Sequence, residues 1–407
     1  MLKRITVDPV SDGPGASAGA SLATLTRAPA LRSPVCTDRS PIIVHCHLRW
    51  DFVWQRPQQI FSRLAAHHPV LFLEESVREG SKVQLRITEP QTNIVRVVPV
   101  LPSDFAASTE AQYRAVLPLL RHALREHPLL AGRFNSPIEW FYSPMTAPAM
   151  LGQFDSVRTI YDCMDELANF RFAPPDIARR EQFLMSHADV IFTGGYQLFE
   201  AKARHHNNVH FYGCGVDVEH YGLARRSETP LPPEVAALPH PVLGYFGVID
   251  ERLDYDLLSQ IAQAFPQGSL VMVGPHAKVD PGALPKRSNI HWLGQRTYAQ
   301  LPPLVKSFDV CLMPFALNDA TRYINPTKTL EYMAAGKPVV STAVPDVVRN
   351  FTPVVQIARD ANDFIAAAML AYTSPDHALI ERGIELAQAS SWDAIVAQMR
   401  ARMIGMI

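Results

Sequence analysis

Short runs of apolar and β-branched residues recur along most of the chain, separated by segments with apolar residues at helical spacing. In the first half, the runs predict buried strands at residues 42–47, 70–73, 138–142, 159–161, 190–193 and 210–212. In the second half, they predict strands at residues 242–248, 269–273, 290–293, 310–313, 339–341 and 354–357. Helical spacing predicts helices that begin at Pro57 and that cover residues 176–187, 255–264, 327–335 and 392–403.

The alternation of strands and helices predicts parallel sheets, because a βαβ crossover joins strands that run in the same direction. A polar, proline-rich stretch at residues 225–233 separates two such series. We therefore expect an α/β protein with two doubly wound, Rossmann-like domains that face each other across a cleft. The expected boundaries are a first domain at 41–224, a linker at 225–240, a second domain at 241–390, and a helix at 391–407 that crosses back to the first domain.

Composition narrows the class of protein. The chain has 407 residues, and residues 1–40 are rich in Ala, Ser, Gly and Pro, which favours a disordered segment over a signal peptide. The formal net charge is 38 minus 39, or −1, which disfavours a nucleic-acid-binding surface. The five cysteines form no C-x-x-C pair, and no run of about 18 apolar residues occurs. We expect a soluble, cytoplasmic protein.

The loop after the first predicted strand, residues 47–59, is rich in aromatic and charged side chains. It contains no glycine, so it lacks the G-x-G-x-x-G fingerprint of a dinucleotide site. Ligands of open parallel sheets bind at the carboxyl ends of strands, and this loop leaves such an end. The side chains that suit a sugar or a lipid headgroup are Arg49, Trp50, Asp51 and Trp54. The alternative is that the tryptophans pack in the core and the arginines are solvated.

A second strand-exit segment carries three carboxylates, Asp162, Asp165 and Glu166. They could supply a general base or ligate a divalent metal. They could equally cap the helix that follows. The residues alone leave these alternatives open.

The segment 325–340 is predicted to form a helix that ends at a glycine, followed by a strand. We expect Asn325 to cap the helix, Pro326 to take its first position and Gly336 to end it. The helix N-terminus attracts anions, and Lys328 adds a full charge there. Glu331 lies three residues later on the same face, so the pair could hold a phosphate and two ribose hydroxyls. A surface ion pair is the alternative.

Four segments, in order, resemble motifs of glycosyltransferases of the GT-B fold: residues 213–221, 244–247, 290–294 with 309–314, and 328–340. The last reads K-T-L-E-Y-M-A-A-G-K-P-V-V. The resemblance covers most of the chain from about residue 41. It implies that the chain transfers a sugar from a nucleotide-sugar donor to a saccharide, lipid-linked or small-molecule acceptor. A nucleotide-sugar epimerase of the same fold and an inactive donor-binding subunit are the alternatives.

The resemblance also implies a role for individual residues. Glu331 would bind the ribose hydroxyls of the donor. The residues that would hold the diphosphate are Gly247, Arg252, Thr327 and Lys328. Those that would lie at the base are Gln295 and Arg296. Since these cations and a helix N-terminus can neutralise the diphosphate, no metal or other cofactor is expected. Acceptor binding would fall to the first domain, with peripheral contact at the inner face of a membrane as an option.

Two departures leave the stereochemical outcome open. Retaining enzymes of family 4 carry a second glutamate eight positions before the first, and that position is Tyr323 here. Their R-x-x-x-x-K phosphate pair is replaced by D-E-R-L-D at residues 250–254. In both respects the chain is similar to teichuronic-acid and xanthan-type transferases, whose outcome can be inverting. An inverting reaction would need a general base, for which Asp165 and Asp162 are the candidates.

Overall fold

The computed structural model describes residues 4–5, 36–105 and 108–406. Of the segment 1–40 that we expected to be disordered, residues 1–3 and 6–35 lie outside the described part of the chain. The first domain is a mixed sheet with helices on both faces. Its strands are β1 (Arg4–Ile5), β2 (Ile42–Cys46), β3 (Val70–Glu74), β4 (Val77–Gly80), β5 (Gln84–Gln91), β6 (Ile94–Pro102), β7 (Ile138–Phe141), β8 (Arg158–Cys163), β9 (Val190–Thr193) and β10 (Val209–Phe211). Its helices are α1 (Arg56–Leu64), α2 (Thr109–Glu126), α3 (Ala147–Met150), α4 (Ile177–His187) and α5 (Tyr196–Ala203).

The second domain follows two short helices, α6 (Val218–Gly222) and α7 (Pro233–Ala236). Its strands are β11 (Val242–Phe246), β12 (Ser269–Val273), β13 (Ile290–Gly294), β14 (Val310–Met313), β15 (Val339–Thr342) and β16 (Gln356–Ala358). Its helices are α8 (Tyr255–Ala264), α9 (Leu301–Lys306), α10 (Lys328–Ala334), α11 (Pro345–Phe351), α12 (Ala361–Thr373) and α13 (His377–Ala389), and α14 (Trp392–Ile404) ends the described chain. Single 3-10 turns lie at Leu167–Asn169, Leu223–Arg225, Pro281–Ala283 and Tyr298–Gln300.

The order of the strands places a switch point in each sheet. The first sheet runs β6-β3-β2-β7-β8-β9-β10, all parallel, and β5 and then β1 extend it beyond β6 in antiparallel pairs. The second runs β13-β12-β11-β14-β15-β16 and is parallel throughout. The chain reverses direction of travel between β2 and β7 and between β11 and β14, and crevices at such points are where ligands bind in these folds. The expected fold class is confirmed.

The last helix packs on the first domain. Trp392, Met399 and Met403 of α14 are buried in the same apolar cluster as Phe61 of α1 and the outer face of the first sheet. Arg63 donates to the Asp393 carboxylate at 2.8 Å on the rim of this contact. Among the described residues, none of the helices combines the length and apolar character that crossing a bilayer requires.

Most predicted elements lie within a residue or two of their observed bounds, but helices α3, α5 to α7, α9 and α11 to α13 carried no prediction, and two further regions differ. Residues 77–126 carried no prediction, yet they form β4, β5, β6 and α2. β5 mixes buried with exposed positions, so it has no continuous apolar run to predict it. The strand predicted at residues 354–357 is observed as β16, which begins only at Gln356. Val355 is not part of the strand, because its backbone N–H donates to the Phe351 carbonyl of the preceding helix.

Candidate functional site

A pocket lies between the two domains, at the carboxyl ends of strands that flank both switch points. The first domain contributes Trp54 and Arg56 after β2 and Asp165 after β8. The second domain contributes residues that follow β11 and residues of the α10 segment. Those with predicted donor roles are Gly247, Arg252, Thr327, Lys328 and Glu331. The fold therefore brings five of the seven predicted donor residues into one pocket with one predicted base and one predicted acceptor residue.

The α10 segment presents Lys328 and Glu331 to this pocket from one turn of helix. The helix begins at Lys328 with Thr327 at its N-cap position, so, contrary to our expectation, Asn325 is not the cap and Pro326 is not the first helical residue. The Asn325 amide instead donates to the Gly194 carbonyl of the first domain at 3.0 Å. Gly336 has φ +69° and ends the helix, as its sequence position predicts.

Lys328 packs against the turn that follows β11. A methyl group at position 247 would overlap the Cε atom of Lys328, and Gly247 also has φ +147°. Only glycine meets both requirements at this turn. Burial lowers the pKa of Lys328, and the Glu331 carboxylate opposes that shift. Burial raises the pKa of Glu331 to about 7, opposed by Lys328.

Arg252 and Lys328 bring two positive charges to the donor side of the pocket from different elements. The Arg252 guanidinium forms a two-point ion pair with Asp250, at 3.0 Å and 2.7 Å, which fixes its direction. The charge of Arg252 adds to the lowering of the Lys328 pKa, so the two cations lie near each other in the pocket.

Asp165 faces the donor residues from the first domain. Within the described chain, its carboxylate accepts no hydrogen bond from another residue, although it lines the pocket. Burial raises the pKa of Asp165 to about 6, an effect that Arg252 opposes and Asp250 reinforces. A carboxylate that titrates near neutral pH without a fixed partner has the properties of a general base.

Asp162 does not line the pocket. It is fully buried, and Arg56 binds both of its oxygens at 2.9 to 3.2 Å. Arg56 also donates to the Tyr212 carbonyl at 2.8 Å. We therefore assign Asp162 a positioning role, because its lone pairs are occupied and no substrate hydroxyl can reach them. The sequence alone did not lead us to give Arg56 a role, although it stands beside Pro57 in the loop that leaves the first strand.

The loop after β2 divides into a part that reaches the pocket and a part that does not. Trp54 lines the pocket, and its ring lies 5.8 Å from that of Tyr298 in the second domain. Trp50 is 6% exposed and packs edge-on against Phe72 at 5.1 Å, so it belongs to the core. Arg49 binds Glu74 at 3.1 Å, and Asp51 pairs with Arg96. Of the four predicted acceptor residues, the structure therefore brings only Trp54 to the pocket.

Gln295 and Arg296 also lie outside the pocket. The Gln295 amide donates to the carbonyl of Phe52 at 2.5 Å, which joins the two domains at the rim. Arg296 bonds the carbonyl of Gln295 at 3.1 Å and reaches Glu234 at 3.5 Å. The third carboxylate of the strand-exit cluster, Glu166, pairs with Lys202 at 2.7 Å. Within residues 36–105 and 108–406, no group of three or more His, Cys, Asp or Glu side chains has a geometry that could hold a metal ion.

Known proteins resemble the chain in sequence and in fold. A family model for glycosyl transferases group 1 matches residues 240–373. A Bacillus subtilis protein named as a teichuronic acid biosynthesis glycosyltransferase is 28% identical over 165 residues. That match covers 39% of this chain and 42% of the relative, so less than half of the relative's length is represented.

Solved structures align over most of the chain at low identity. A sucrose-phosphate synthase from Thermosynechococcus elongatus superposes with a TM-score of 0.66 at 18% identity, over 89% of this chain and 97% of the other. A trehalose-phosphate synthase from Burkholderia xenovorans in complex with glucose-6-phosphate gives 0.63 at 12% identity, over 89% and 99%. An E. coli structure described as trehalose-6-phosphate bound with UDP-2-fluoro glucose gives 0.63 at 14%, over 90% and 100%. These similarities establish the GT-B fold.

Proposed function

We propose that this chain, whose second domain resembles group 1 glycosyltransferases, transfers a sugar from a nucleotide-sugar donor to an acceptor hydroxyl. The observation that carries the proposal is the meeting of Lys328, Glu331 and Asp165 in one pocket between the domains. Two cations suit a diphosphate, and a buried carboxylate suits ribose hydroxyls. The Asp165 carboxylate, which lies across the pocket and accepts no hydrogen bond from the described chain, suits an acceptor hydroxyl.

The arrangement supports a single displacement with Asp165 as general base. The acceptor oxygen would attack the anomeric carbon and form the new glycosidic bond while the bond to the donor diphosphate breaks. Asp165 would take the proton of the acceptor hydroxyl. The nucleoside diphosphate would leave with its charge beside Arg252 and Lys328, which lowers the energy of the transition state.

We infer inversion at the anomeric carbon from the same residues. Tyr323 stands where retaining relatives have a second glutamate, and its ring packs against the first-domain core instead of lining the pocket. Asp165 would supply the base that an inverting reaction needs. A nuclear magnetic resonance assay of the first-formed product would reveal the opposite anomer to that of the donor, and retention would overturn this part of the proposal.

The acceptor is proposed to be a saccharide, free or lipid-linked, that enters beside Trp54. An aromatic ring at a sugar site packs against the apolar face of the pyranose. A lipid-linked acceptor would require contact between the protein and the inner face of a membrane. The five cysteines of the described chain are unpaired, which supports a cytoplasmic location.

A donor panel tests the proposal directly. Nucleotide sugars with different bases and sugars are added to the full chain, and melting is followed by calorimetry. A donor at a hundred times its Kd stabilises the fold by about 2.7 kcal/mol. A donor that binds and supports transfer to an acceptor satisfies the proposal. Binding without turnover would indicate the donor-binding subunit, interconversion of free donors would indicate the epimerase, and no binding would refute all three.

Glu331→Gln tests the donor orientation. We would measure the affinity of the wild type and of Glu331→Gln for a ribonucleoside diphosphate and for its 2′-deoxy analogue. The four values form a thermodynamic cycle. If the carboxylate accepts the 2′-hydroxyl, the variant loses affinity for the ribonucleotide and little for the deoxy analogue. Equal losses would remove Glu331 from the ribose site.

A further inference from the structure

A buried ionic cluster lies behind Asp165, outside the pocket. The Lys202 ammonium of α5 binds Glu166 at 2.7 Å and Glu181 of α4 at 2.8 Å. The side chain of Lys202 is 6% exposed, and those of the two glutamates are 16% and 13% exposed. The Tyr161 hydroxyl of β8 donates to the other oxygen of Glu181 at 2.6 Å. We call these four residues the Lys202 cluster.

The cluster holds the backbone on either side of Asp165. Glu166 is the next residue along the chain, and its carboxylate ends on Lys202. On the other side, the Cys163 thiol donates to the Asp165 carbonyl at 3.5 Å and lies 3.8 Å from Glu181. The Asp165 carboxylate itself has no bonded partner in the described chain. Its direction is therefore set by its backbone, and the backbone is held by the cluster.

A cluster with two carboxylates and one ammonium is a costly way to fill protein interior. Apolar residues of similar volume often stabilise a fold equally well, because charges must be taken out of water. What ionic hydrogen bonds add is a fixed direction, since each bond holds its partner at one distance and angle. A loop that must present one carboxylate to a reacting hydroxyl benefits from that constraint.

We propose that Lys202 is a positioning residue that holds the loop of Asp165 in its reactive place by binding Glu166 and Glu181 together. This inference rests on the proposed function, since it assigns Asp165 the role of base. Lys202 touches neither substrate nor reacting atoms. Its effect on the reaction passes through the loop alone.

The position of the loop also determines which charged groups surround the Asp165 carboxylate. The groups that face it are Arg252 and Asp250 from the segment after β11, Arg56 from α1 and Lys328 from α10. Burial in this position raises the pKa of Asp165 to about 6. If the loop relaxes toward solvent, its pKa falls toward the ordinary value of about 3.8.

The experiment compares Lys202→Met with Lys306→Met. Lys306 is a matched control in α9, because its ammonium binds the carbonyls of Arg226, Ser227 and Thr229 at 2.6 to 3.0 Å, far from Asp165 in the chain. The pKa of Asp165 is measured on full-length protein by carbon-13 labelling of aspartate, with Asp165→Asn for assignment. Donor affinity and the pH profile of kcat are measured on the same samples.

We expect Lys202→Met to lower the Asp165 pKa by about one to two units and kcat by about 10- to 100-fold, as for a displacement of about 1 Å. Donor affinity stays unchanged, Lys306→Met leaves the pKa in place, and Lys202→Arg restores most of kcat. An unshifted pKa in Lys202→Met overturns the inference. Because the nuclear magnetic resonance reading needs no substrate, it stands even if no nucleotide sugar binds and the proposed function fails.

A second variant serves if Lys202→Met does not fold. The triple variant Glu166→Gln, Glu181→Gln and Lys202→Met removes the charges together and keeps their volume, so no charge is left buried without a partner. We expect it to fold with the same low Asp165 pKa and low kcat. A triple variant with the wild-type pKa would show that packing alone positions the loop, and that the inference is wrong.

Discussion

The carboxylate of Asp346, in the second domain, accepts the backbone N–H of Tyr196 at 2.7 Å and that of Gln197 at 3.2 Å, in the first domain. These N–H groups open α5, so a carboxylate of one domain caps a helix of the other. Asp346 is fully buried, and a methyl group at Gly195 would lie only 2.8 Å from its Oδ2 atom. The contact therefore holds the cleft closed, at the opposite end of α5 from Lys202.

Asp346→Ala is expected to open the cleft. Loss of a carboxylate at a helix N-terminus costs about 1–2 kcal/mol of unfolding free energy. Small-angle scattering should give a larger radius of gyration, and kcat should fall while donor affinity changes little. Asp376→Ala is the matched control, since Asp376 caps α13 within the second domain through the Leu379 N–H at 3.1 Å. An equal change of dimensions in both variants would contradict the assignment.

Lys328→Ala should weaken donor binding. The diphosphate would lose a charge-assisted hydrogen bond worth about 1.5–3 kcal/mol, which is roughly a 10- to 150-fold rise in Kd. Titration calorimetry with a nucleoside diphosphate measures the effect. Lys286→Ala, at an exposed position of the same domain, controls for loss of net charge. Unchanged affinity in Lys328→Ala would place the diphosphate elsewhere.

Asp165→Asn should lower kcat by about 10²- to 10⁴-fold, the usual cost of losing a general base. In the wild type, kcat should rise with pH through about 6, the pKa of the buried carboxyl. The donor Kd should not change. Full activity in the variant would remove Asp165 from the mechanism.

The same substitution should stabilise the fold at high pH. The pKa of Asp165 is raised in the folded state, so its stabilising contribution is complete below about pH 3.8 and is lost as pH rises through about 6. At pH 8 the wild type carries an ionised, half-buried carboxylate, whereas asparagine is neutral. The melting temperature of Asp165→Asn, relative to wild type, should therefore be higher at pH 8 than at pH 5.

Trp54→Ala and Trp50→Ala should separate binding from folding. Trp54 lines the pocket and is only half-buried, so its loss should raise the KM for acceptor, leave donor affinity nearly unchanged and lower the melting temperature less than the loss of Trp50 does. Trp50 is buried among aromatic rings, so its loss should cost about 3–5 kcal/mol of stability. If Trp54→Ala transferred sugar with an unchanged acceptor KM, the acceptor would not enter beside this ring.

Activity should survive an excess of EDTA. We expect Arg252 and Lys328 to neutralise the leaving diphosphate, so that the reaction would need no divalent cation. Transfer is assayed with chelator and after addition of magnesium or manganese. Complete loss with EDTA and recovery with either metal would contradict this expectation.

Local sequence was sufficient for features whose causes lie within a few residues. The placement of Lys328 and Glu331 on one helix face follows from helical spacing, and the end of that helix follows from Gly336. The buried strands follow from continuous apolar runs, and their alternation with helices implies parallel sheets. For the same reason, the half-exposed strand β5, which has no such run, was missed.

Only the tertiary structure decided which polar side chains are free to react. Asp162 and Asp165 are three residues apart and look alike in sequence, but Arg56, 106 positions away from Asp162, occupies that carboxylate and leaves Asp165 open. Trp50 and Trp54 differ in the same way. Phe72 packs against Trp50 in the core, whereas Trp54 lies in the pocket beside Tyr298 of the second domain. Ion pairing and burial depend on neighbours brought together by folding, and sequence spacing carries no record of them.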